Sequence, residues 1–468
     1  MRKLTLPLAV LMLTFASNAA AQAPVPQLPA PPGSVAEGVE HVGNIPINGS
    51  VGANFKTYGD KTYMFVTGTV GSPKTDPGVL TQLNYGGLWV YDVTVADSPA
   101  LVSHLPVPHY ENEDVSIGGN RLLISGDGTL GLSNLVVVDI ADPALPMIEK
   151  VITMEPLGPG HTATCIQDCK YVWAAGDGNI SVLRLDDYDV VDSGLTGTFR
   201  QPEFGWGTHD VQVDDAGIAW VVGGNGTIGF DVNPGAYGDD NLTDPTVVAR
   251  TNDEALENQT DDGSSVNDFI HHNSWRPNAA EGGDTVLITE EDIWTRSIGL
   301  TRGGCKTQGS FQTWNIDDDG DMTFVDDWKT EYNDALIQGL PTQDVVAAEG
   351  FCSAHYFDAT EDGEQVAIAW YAQGTRILDT SDPADIRQVG YFLAPDSTVW
   401  ASYYAPHDEN VIYVLDHQRG IDVLRIAPAG SVAARKEVRA PFLKAWKTPQ
   451  AELFAAHPTL GWVCRVAL

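Results

Sequence analysis

One pattern recurs along this chain and restricts its fold more than any other feature. A strand of alternating apolar residues carries a polar residue, an acidic or Asp-Pro turn follows, and a second apolar strand comes next. We find seven copies, which begin at Gly87, Asn134, Asn179, Gly226, Gly309, Thr375 and Arg419. Short alternating strands separated by turn residues are typical of all-β proteins.

The polar residue of each copy measures the period of the repeat. In chain order these residues are Asp92, Asp139, Arg184, Asp231, Asn315, Asp379 and Arg425. Four of the six intervals are 45 to 47 residues long, and the other two, of 84 and 64 residues, contain polar insertions. A period of about 45 residues with four short strands per unit is typical of a propeller. The sequence therefore predicts an all-β fold, a seven-bladed β-propeller of four-stranded antiparallel blades. A pair of β-sandwiches is the alternative, but it would not require seven similar units.

The ends of the chain differ from the repeats. Residues Met1 to Ala21 join a basic start, an apolar run and a small-residue end, which is the pattern of a signal peptide. We divide the rest into a Pro-rich linker (22–37), the propeller (38–430) and a C-terminal tail (431–468). No later stretch has the roughly 20 apolar residues that a membrane span needs. We therefore expect an exported monomer, periplasmic or extracellular.

Charge and cysteine content agree with that prediction. The 26 Lys and Arg residues oppose 63 Asp and Glu residues, and the resulting net charge of −37 repels nucleic acid and anionic membranes. Five cysteines in an oxidising compartment can form two disulfides with one cysteine left over. We pair Cys165 with Cys169 and Cys305 with Cys352, which leaves Cys464 free.

Longer motifs accompany the repeat. The clearest are LVVVDIADP at Leu135 to Pro143 and RILDTSDP at Arg376 to Pro383. Others are NDFIHHNSWRPN (Asn267 to Asn278), ITEED (Ile288 to Asp292) and FCSAHYFD (Phe351 to Asp358). Together they resemble the LVIVD-repeat family of exported bacterial β-propellers, over most of the chain that follows the predicted signal peptide. The resemblance implies the fold and the export, and it implies no particular activity.

Histidines recur at one position of the repeat. His161, His209 and His355 each lie about ten residues ahead of the second strand of a unit, and His271 or His272 takes that place in the fifth. The innermost strand of a propeller blade begins at the rim of the central channel, so these side chains should converge there. Because neutral imidazole binds Zn, Cu, Fe and Ni, the sequence predicts a transition-metal site at the channel.

Other side chains are candidates for the same site. Glu113 holds the histidine position in the second unit, as a ligand or a catalytic general base, and Glu290 or Glu291 ends a neighbouring strand. Trp275 and Arg276 follow the histidine pair and are candidates for substrate binding. The competing interpretation is structural, since a repeated histidine can cap a strand by bonding to the backbone of the next blade.

A weaker motif lies at an acidic turn of the fifth unit. Its residues loosely match a calcium-binding loop with glycine at the sixth place; they are Asn315, Asp317, Asp319, Gly320, Asp321, Thr323 and Asp326. Position twelve is Asp rather than Glu, and the other units also have acidic turns here. A structural turn is therefore the alternative to a calcium site.

Two functions are compatible with these features. The first is a binding or scaffold protein whose channel mouth or loops hold a protein, a polymer or a small-molecule ligand. The second is a metal-dependent enzyme, an oxidoreductase or a hydrolase, with the histidines as ligands and Glu113 as general base. The sequence favours the first, because the repeat is a stronger signal than the histidines.

Overall fold

The regular secondary structure of the computed structural model is almost entirely β-strand. The structure describes residues 27–47, 49–68, 87–107, 115–126, 134–153, 161–176, 179–191, 208–224, 226–234, 245–251, 270–291, 309–333, 353–395, 397–427 and 434–441. The predicted signal peptide, Glu113, Cys305, Cys352 and Cys464 lie outside these ranges. A short 3-10 helix occupies Ala279–Glu281. Within the described ranges, no helix has the length and apolar character needed to cross a membrane.

Three consecutive sheets of four antiparallel strands come first along the chain, and each sheet follows chain order. The first contains β3 (Ser50–Tyr58), β4 (Lys61–Gly68), β5 (Gly87–Asp92) and β6 (Ala100–Pro106). The second contains β7 (Val115–Gly118), β8 (Arg121–Gly126), β9 (Asn134–Asp139) and β10 (Met147–Thr153). The third contains β11 (Thr162–Ile166), β12 (Tyr171–Gly176), β13 (Asn179–Arg184) and β14 (Asp189–Val191).

An eight-stranded sheet follows. One half contains β15 (Thr208–Val213), β16 (Ile218–Gly223), β17 (Gly226–Asp231) and β18 (Val247–Thr251). The other half contains β19 (Ile270–Trp275), β20 (Thr285–Glu291), β21 (Phe311–Ile316) and β22 (Asp321–Trp328). Each half is antiparallel, and the two halves are joined by a parallel pairing of β18 with β22 over two residues.

The N-terminal segment completes the last two sheets. The first of them contains β23 (Phe357–Ala359), β24 (Gln365–Ala369), β25 (Thr375–Asp379) and β26 (Arg387–Leu393), and β1 (Val35–Glu37) adds a fifth strand beside β26. The second contains β27 (Val399–Ala405), β28 (Asp408–Asp416) and β29 (Gly420–Ile426), and β2 (Val39–Ile45) supplies its outer strand. Strands from opposite ends of the chain therefore share one sheet.

Part of the predicted tail lies against the sheet that contains β26. The Val438 backbone N–H donates to the Gln388 carbonyl oxygen at 2.9 Å. The Ala440 N–H donates to Glu331 Oε1 at 2.7 Å. The described part of this segment is thus packed on the β-sheets.

The acidic turns of the repeat occur at the same place in their units. The polar residues that measure the period lie in β5, β9, β13, β17, β21, β25 and β29, which are the third strands of their units. Where that residue is Asp, its carboxylate accepts the backbone N–H two residues further on, as Asp92 does from Thr94 and Asp139 does from Ala141. Such Asx turns end a strand without an unsatisfied donor. The Cys165–Cys169 disulfide, which was predicted, lies across the β11–β12 turn.

The first strands of the units lie side by side. β7 contacts β3 and β11, β15 contacts β11 and β19, and β27 contacts β23 and β3. Apolar side chains fill the space between neighbouring sheets, including the fully buried Trp173, Trp220 and Trp314. The arrangement is that of a β-propeller, in which radially arranged sheets pack face to face around an axis.

Candidate metal centre

β-bulges occur at histidines of the inner strands. The pairing of β15 with β16 skips His209, and the pairing of β19 with β20 skips His272. Just before β23, the His355 N–H donates to the Ala369 carbonyl, and the Ala369 N–H donates to the Tyr356 carbonyl, so two residues again oppose one. A bulge leaves one residue outside the ladder and re-aims its side chain. These histidines therefore do not follow the in-and-out alternation of a regular strand.

Four imidazoles form a continuous arc. Ring centroids are 4.6 Å apart for His161 and His209, 4.1 Å for His209 and His272, and 4.1 Å for His272 and His355. The Nε2 atoms of His161 and His209 are 3.1 Å apart. All four side chains are buried. The convergence that the repeat position predicted is therefore present.

His209, His272 and Glu291 form a group that could hold a metal ion. One ligand atom from each residue lies within 4.8 Å of the others. Glu291 Oε2 is 3.8 Å from His272 Nε2, and the hydroxyl of Tyr371 donates to Glu291 Oε1. Two imidazole nitrogens and a carboxylate oxygen suit a transition metal such as zinc. Among the described residues, this is the one such group of three or more His, Cys, Asp or Glu side chains.

Backbone carbonyl groups fix the tautomers of two of these rings. His209 Nδ1 lies 3.2 Å from the His272 carbonyl oxygen, and His355 Nδ1 lies 2.5 Å from that of Trp400. A carbonyl oxygen only accepts, so Nδ1 carries the hydrogen and Nε2 of the neutral ring keeps its lone pair. Histidines that bind metals commonly donate their other N–H in this way. The structural interpretation predicted a hydrogen bond from histidine to a backbone carbonyl. That same hydrogen bond leaves the Nε2 lone pair available to bind a metal.

His271 and Glu290 do not belong to this group. His271 Nδ1 lies 2.9 Å from Thr227 Oγ1, and Glu290 Oε2 accepts a hydrogen bond from Ser310 at 3.3 Å. His271 stays in the ladder opposite Glu290, whereas the bulge takes His272 out of it, and the side chains of Glu290 and Glu291 point to opposite faces of β20. In the two pairs that the sequence left open, the structure places His272 and Glu291 in that group.

Trp275 and Arg276 lie at the other end of β19 from His272. Trp275 is three strand residues from His272, about 10 Å at 3.3 Å per residue, and Arg276 follows the end of β19. Arg276 Nε donates to the Gly283 carbonyl at 2.6 Å, and Trp275 packs partly buried against the apolar cluster around β20 to β25. These contacts are structural, and they do not place either residue at the metal group.

The predicted calcium loop is a β-hairpin. Asn315 lies in β21, Asp321, Thr323 and Asp326 lie in β22, and the turn connects them. Asp317 Oδ1 accepts the N–H groups of Asp319 and Asp321, both at 2.9 Å. The carboxylate thereby closes the turn, and no ligand group forms there among the described residues.

Tyr371, which follows β24, was not among the residues predicted from the sequence. The second strands of four units end in glycine, at Gly68, Gly126, Gly176 and Gly223, but β24 ends at Ala369, two residues before Tyr371, so this position gave no signal for it. In β20 the strand ends instead at Glu291. Because β28 likewise ends at Asp416, a charged residue at this place does not by itself mark the site.

Comparisons with known proteins agree on the fold alone. No family model matches the chain, and no curated protein matches it. A β-propeller domain of Cps50 from Myceliophteria thermophila aligns at 12% identity over 83% of this chain and 100% of that chain, with a TM-score of 0.53. A putative 6-phosphogluconolactonase from Bacteroides fragilis aligns at 12% identity over 84% and 97%, with a TM-score of 0.52. A chain of the COPII outer coat vertex aligns at 9% identity over 87% and 90%, with a TM-score of 0.54.

Proposed function

We propose that this chain is an exported, seven-bladed β-propeller of the LVIVD-repeat family that binds a transition-metal ion at its axis and serves as a binding or scaffold protein. The count of seven treats the eight-stranded sheet as two blades, because each half is a four-strand meander like its neighbours. The family assignment draws support from register, since the LVVVD and RILD motifs coincide with the third strands β9 and β25.

The observation that carries the metal proposal is the buried group of His209, His272 and Glu291. Buried charged groups in proteins are paired with other groups or coordinate metals. Two imidazoles beside the Glu291 carboxylate form a donor set of the second kind. The donor set fits the ion, because His209 already has the tautomer that leaves Nε2 as a ligand.

A metal-dependent enzyme is the second candidate. Three protein ligands are the number found in catalytic zinc sites, where substrate or water takes a fourth position. His161 and His355 lie beside the group, and an imidazole can accept or donate a proton during catalysis. Glu113, which we assigned as a general base, is outside the described residues, so these two histidines carry the alternative.

Elemental analysis tests the metal proposal. The protein is purified without chelator, reconstituted separately with Zn²⁺, Cu²⁺ and Fe²⁺, and desalted. We expect about one ion per chain for the best metal. The double variant His209→Ala/His272→Ala should lose it, and His271→Ala, which removes a buried histidine outside the group, should retain it. Sub-stoichiometric metal in the wild type after all three reconstitutions would refute the proposal.

Export has its own test. The proposal of export draws support from the pattern of Met1 to Ala21 and from the Cys165–Cys169 disulfide, since disulfides persist in oxidising compartments. Protein recovered from expressing cells should begin after Ala21 by intact mass. Peptide mapping without reductant should also find Cys305 linked to Cys352. A mature chain that retains Met1 would contradict export.

A further inference from the structure

Tyr371 lies in the turn between β24 and β25 with an unusual backbone conformation. Its φ angle is 35°, and its side chain is fully buried. A bulky residue at positive φ is a genuine outlier, because its Cβ approaches the neighbouring carbonyl. Such conformations persist only where surrounding structure imposes them, and they cluster at functional sites.

Backbone and ring contacts hold Tyr371 in place. Its carbonyl oxygen accepts hydrogen bonds from Gly374 N at 3.2 Å and from Val399 N at 3.0 Å, so it connects its own turn to the start of β27. Its ring centroid lies 4.6 Å from that of His355 and 5.6 Å from that of Trp400. The strained residue is therefore fixed between two units of the propeller, with its ring against the histidine arc.

The phenol of Tyr371 reaches a third unit. Its hydroxyl donates to Glu291 Oε1, while Oε2 of the same carboxylate faces His272 Nε2 at 3.8 Å. A hydrogen bond to an ionised carboxylate is stronger than one between neutral groups. It leaves Glu291 with one oxygen held and the other directed at the imidazoles.

We propose that Tyr371 is the positioning residue of the metal centre: its phenol holds Glu291 Oε1 so that Oε2 binds the ion together with His209 and His272. This inference rests on the metal binding proposed above. Partners that orient a ligand in this way typically change metal affinity by about ten- to a hundredfold when they are removed. The backbone strain at Tyr371 is consistent with a side chain whose exact position matters.

Co²⁺ binding tests the inference, because its visible spectrum reports the ligands and their geometry. Tyr371→Phe should weaken Co²⁺ binding about ten- to a hundredfold and alter the spectrum. The matched control is Tyr413→Phe, since Tyr413 is also a buried phenol and donates to the Ala96 carbonyl at 2.6 Å. The control should keep wild-type affinity and spectrum. Tyr371→Phe with wild-type affinity and spectrum would overturn the inference while leaving the proposed metal function intact.

A second measurement decides the question if Tyr371→Phe does not fold. Co²⁺ should perturb the ultraviolet absorption of a tyrosine in the wild-type protein and in Tyr413→Phe. The perturbation should disappear in Glu291→Gln, which keeps an acceptor for the phenol but loses the carboxylate. A perturbation that is absent from the wild type, or unchanged in Glu291→Gln, would overturn the inference. If the wild type binds no Co²⁺ or other transition metal, the proposed function fails and the inference fails with it.

Discussion

Glu291 and Asp416 are two carboxylates that each end the second strand of their unit. Glu291 ends β20 opposite Ile270, and Asp416 ends β28 opposite Val399. The register shift follows directly after Val399 in β27 but only after His271 in β19, so Glu291 lies one residue further from the shift than Asp416 does. Both carboxylates are buried. The two carboxylates therefore share burial at a strand end, and they differ in register and in what surrounds them.

The surroundings assign the two carboxylates different roles. Asp416 accepts hydrogen bonds from the backbone N–H groups of Thr398, Gln418 and Arg419 at 2.8 to 3.1 Å, so its oxygens are occupied within the turn. Glu291 instead faces His272 and Tyr371. A buried carboxylate held by backbone donors stabilises a turn, whereas one held by a phenol and imidazoles is placed to bind a cation. We therefore propose a structural role for the Asp416 carboxylate and a metal-binding role for the Glu291 carboxylate.

Removing the Asp416 carboxylate should give the largest effect. Asp416→Ala leaves several buried N–H groups without an acceptor, and each such donor costs about 1–3 kcal/mol. We expect a loss of about 4 kcal/mol in unfolding free energy, measured by urea denaturation. Asp416→Asn, which keeps one acceptor oxygen, should cost less. Metal affinity measured on folded protein should be unchanged, and its loss would contradict the structural role.

The pH dependence of stability should separate the two positions next. Burial, together with the nearby charge of Asp422, raises the pKa of Asp416 from 3.8 to about 6. Between about pH 4 and pH 6 the folded state therefore keeps a proton on Asp416 that the unfolded state has already released. As the pH rises through this range, the contribution of Asp416 to the unfolding free energy falls, and above about pH 6 it is constant. The expected size is roughly 3 kcal/mol at most. Asp416→Asn should remove this decline relative to wild type in urea titrations across that range, and an unchanged slope would refute the assignment.

Glu291→Gln should lower metal affinity and leave stability nearly unchanged, which is the converse of the outcome expected for Asp416→Ala. It keeps the volume and an acceptor for Tyr371 but removes the anionic ligand. Metal affinity should fall about a hundredfold, or roughly 2.7 kcal/mol, while metal-free stability should change by less than about 1 kcal/mol. Isothermal titration and urea denaturation measure the two quantities. A large loss of metal-free stability would show that Glu291, like Asp416, is structural.

The smallest effect is expected at an exposed turn of the repeat. Asp139 accepts the Ala141 N–H at 2.9 Å, close to solvent. Asp139→Ala should lower the unfolding free energy by about 1 kcal/mol, because water replaces part of the lost bond. Metal affinity should not change. An effect on stability as large as that of Asp416→Ala would show that burial is not what distinguishes the two turns.

The fold was largely predictable, because the repeat reports local structure directly. Residues such as Asp139 and Asp379 lie where a strand must end, and their spacing locates every third strand. Short continuous apolar runs such as Leu135 to Val138 then indicate sheets that are covered on both faces. The arc of His161, His209 and His355 followed from the same spacing.

The finer geometry of the site was not predictable from spacing. Period-two alternation cannot choose between His271 and His272, because the bulge in β19 decides which of them leaves the ladder. Glu291 was only one of two adjacent candidates for the same reason. Tyr371 belongs to a turn outside the strand pattern, and its contact with Glu291 joins residues 80 positions apart. Trp275 was assigned to the site through sequence proximity, although a strand carries it away from His272.

The pairing of β2 with β29 determines how late in chain synthesis one of the sheets can form. His41 and Asp422, which contact each other at 2.8 Å across this pairing, are 381 positions apart. Val39–Ile45 emerges early from the ribosome and must wait for nearly the whole chain before its partner strand exists. Contacts of such long sequence separation form slowly, and a prematurely ended chain exposes an unpaired strand edge that invites aggregation. The sheet that β2 and β29 share therefore cannot form until the strands between them have been synthesised.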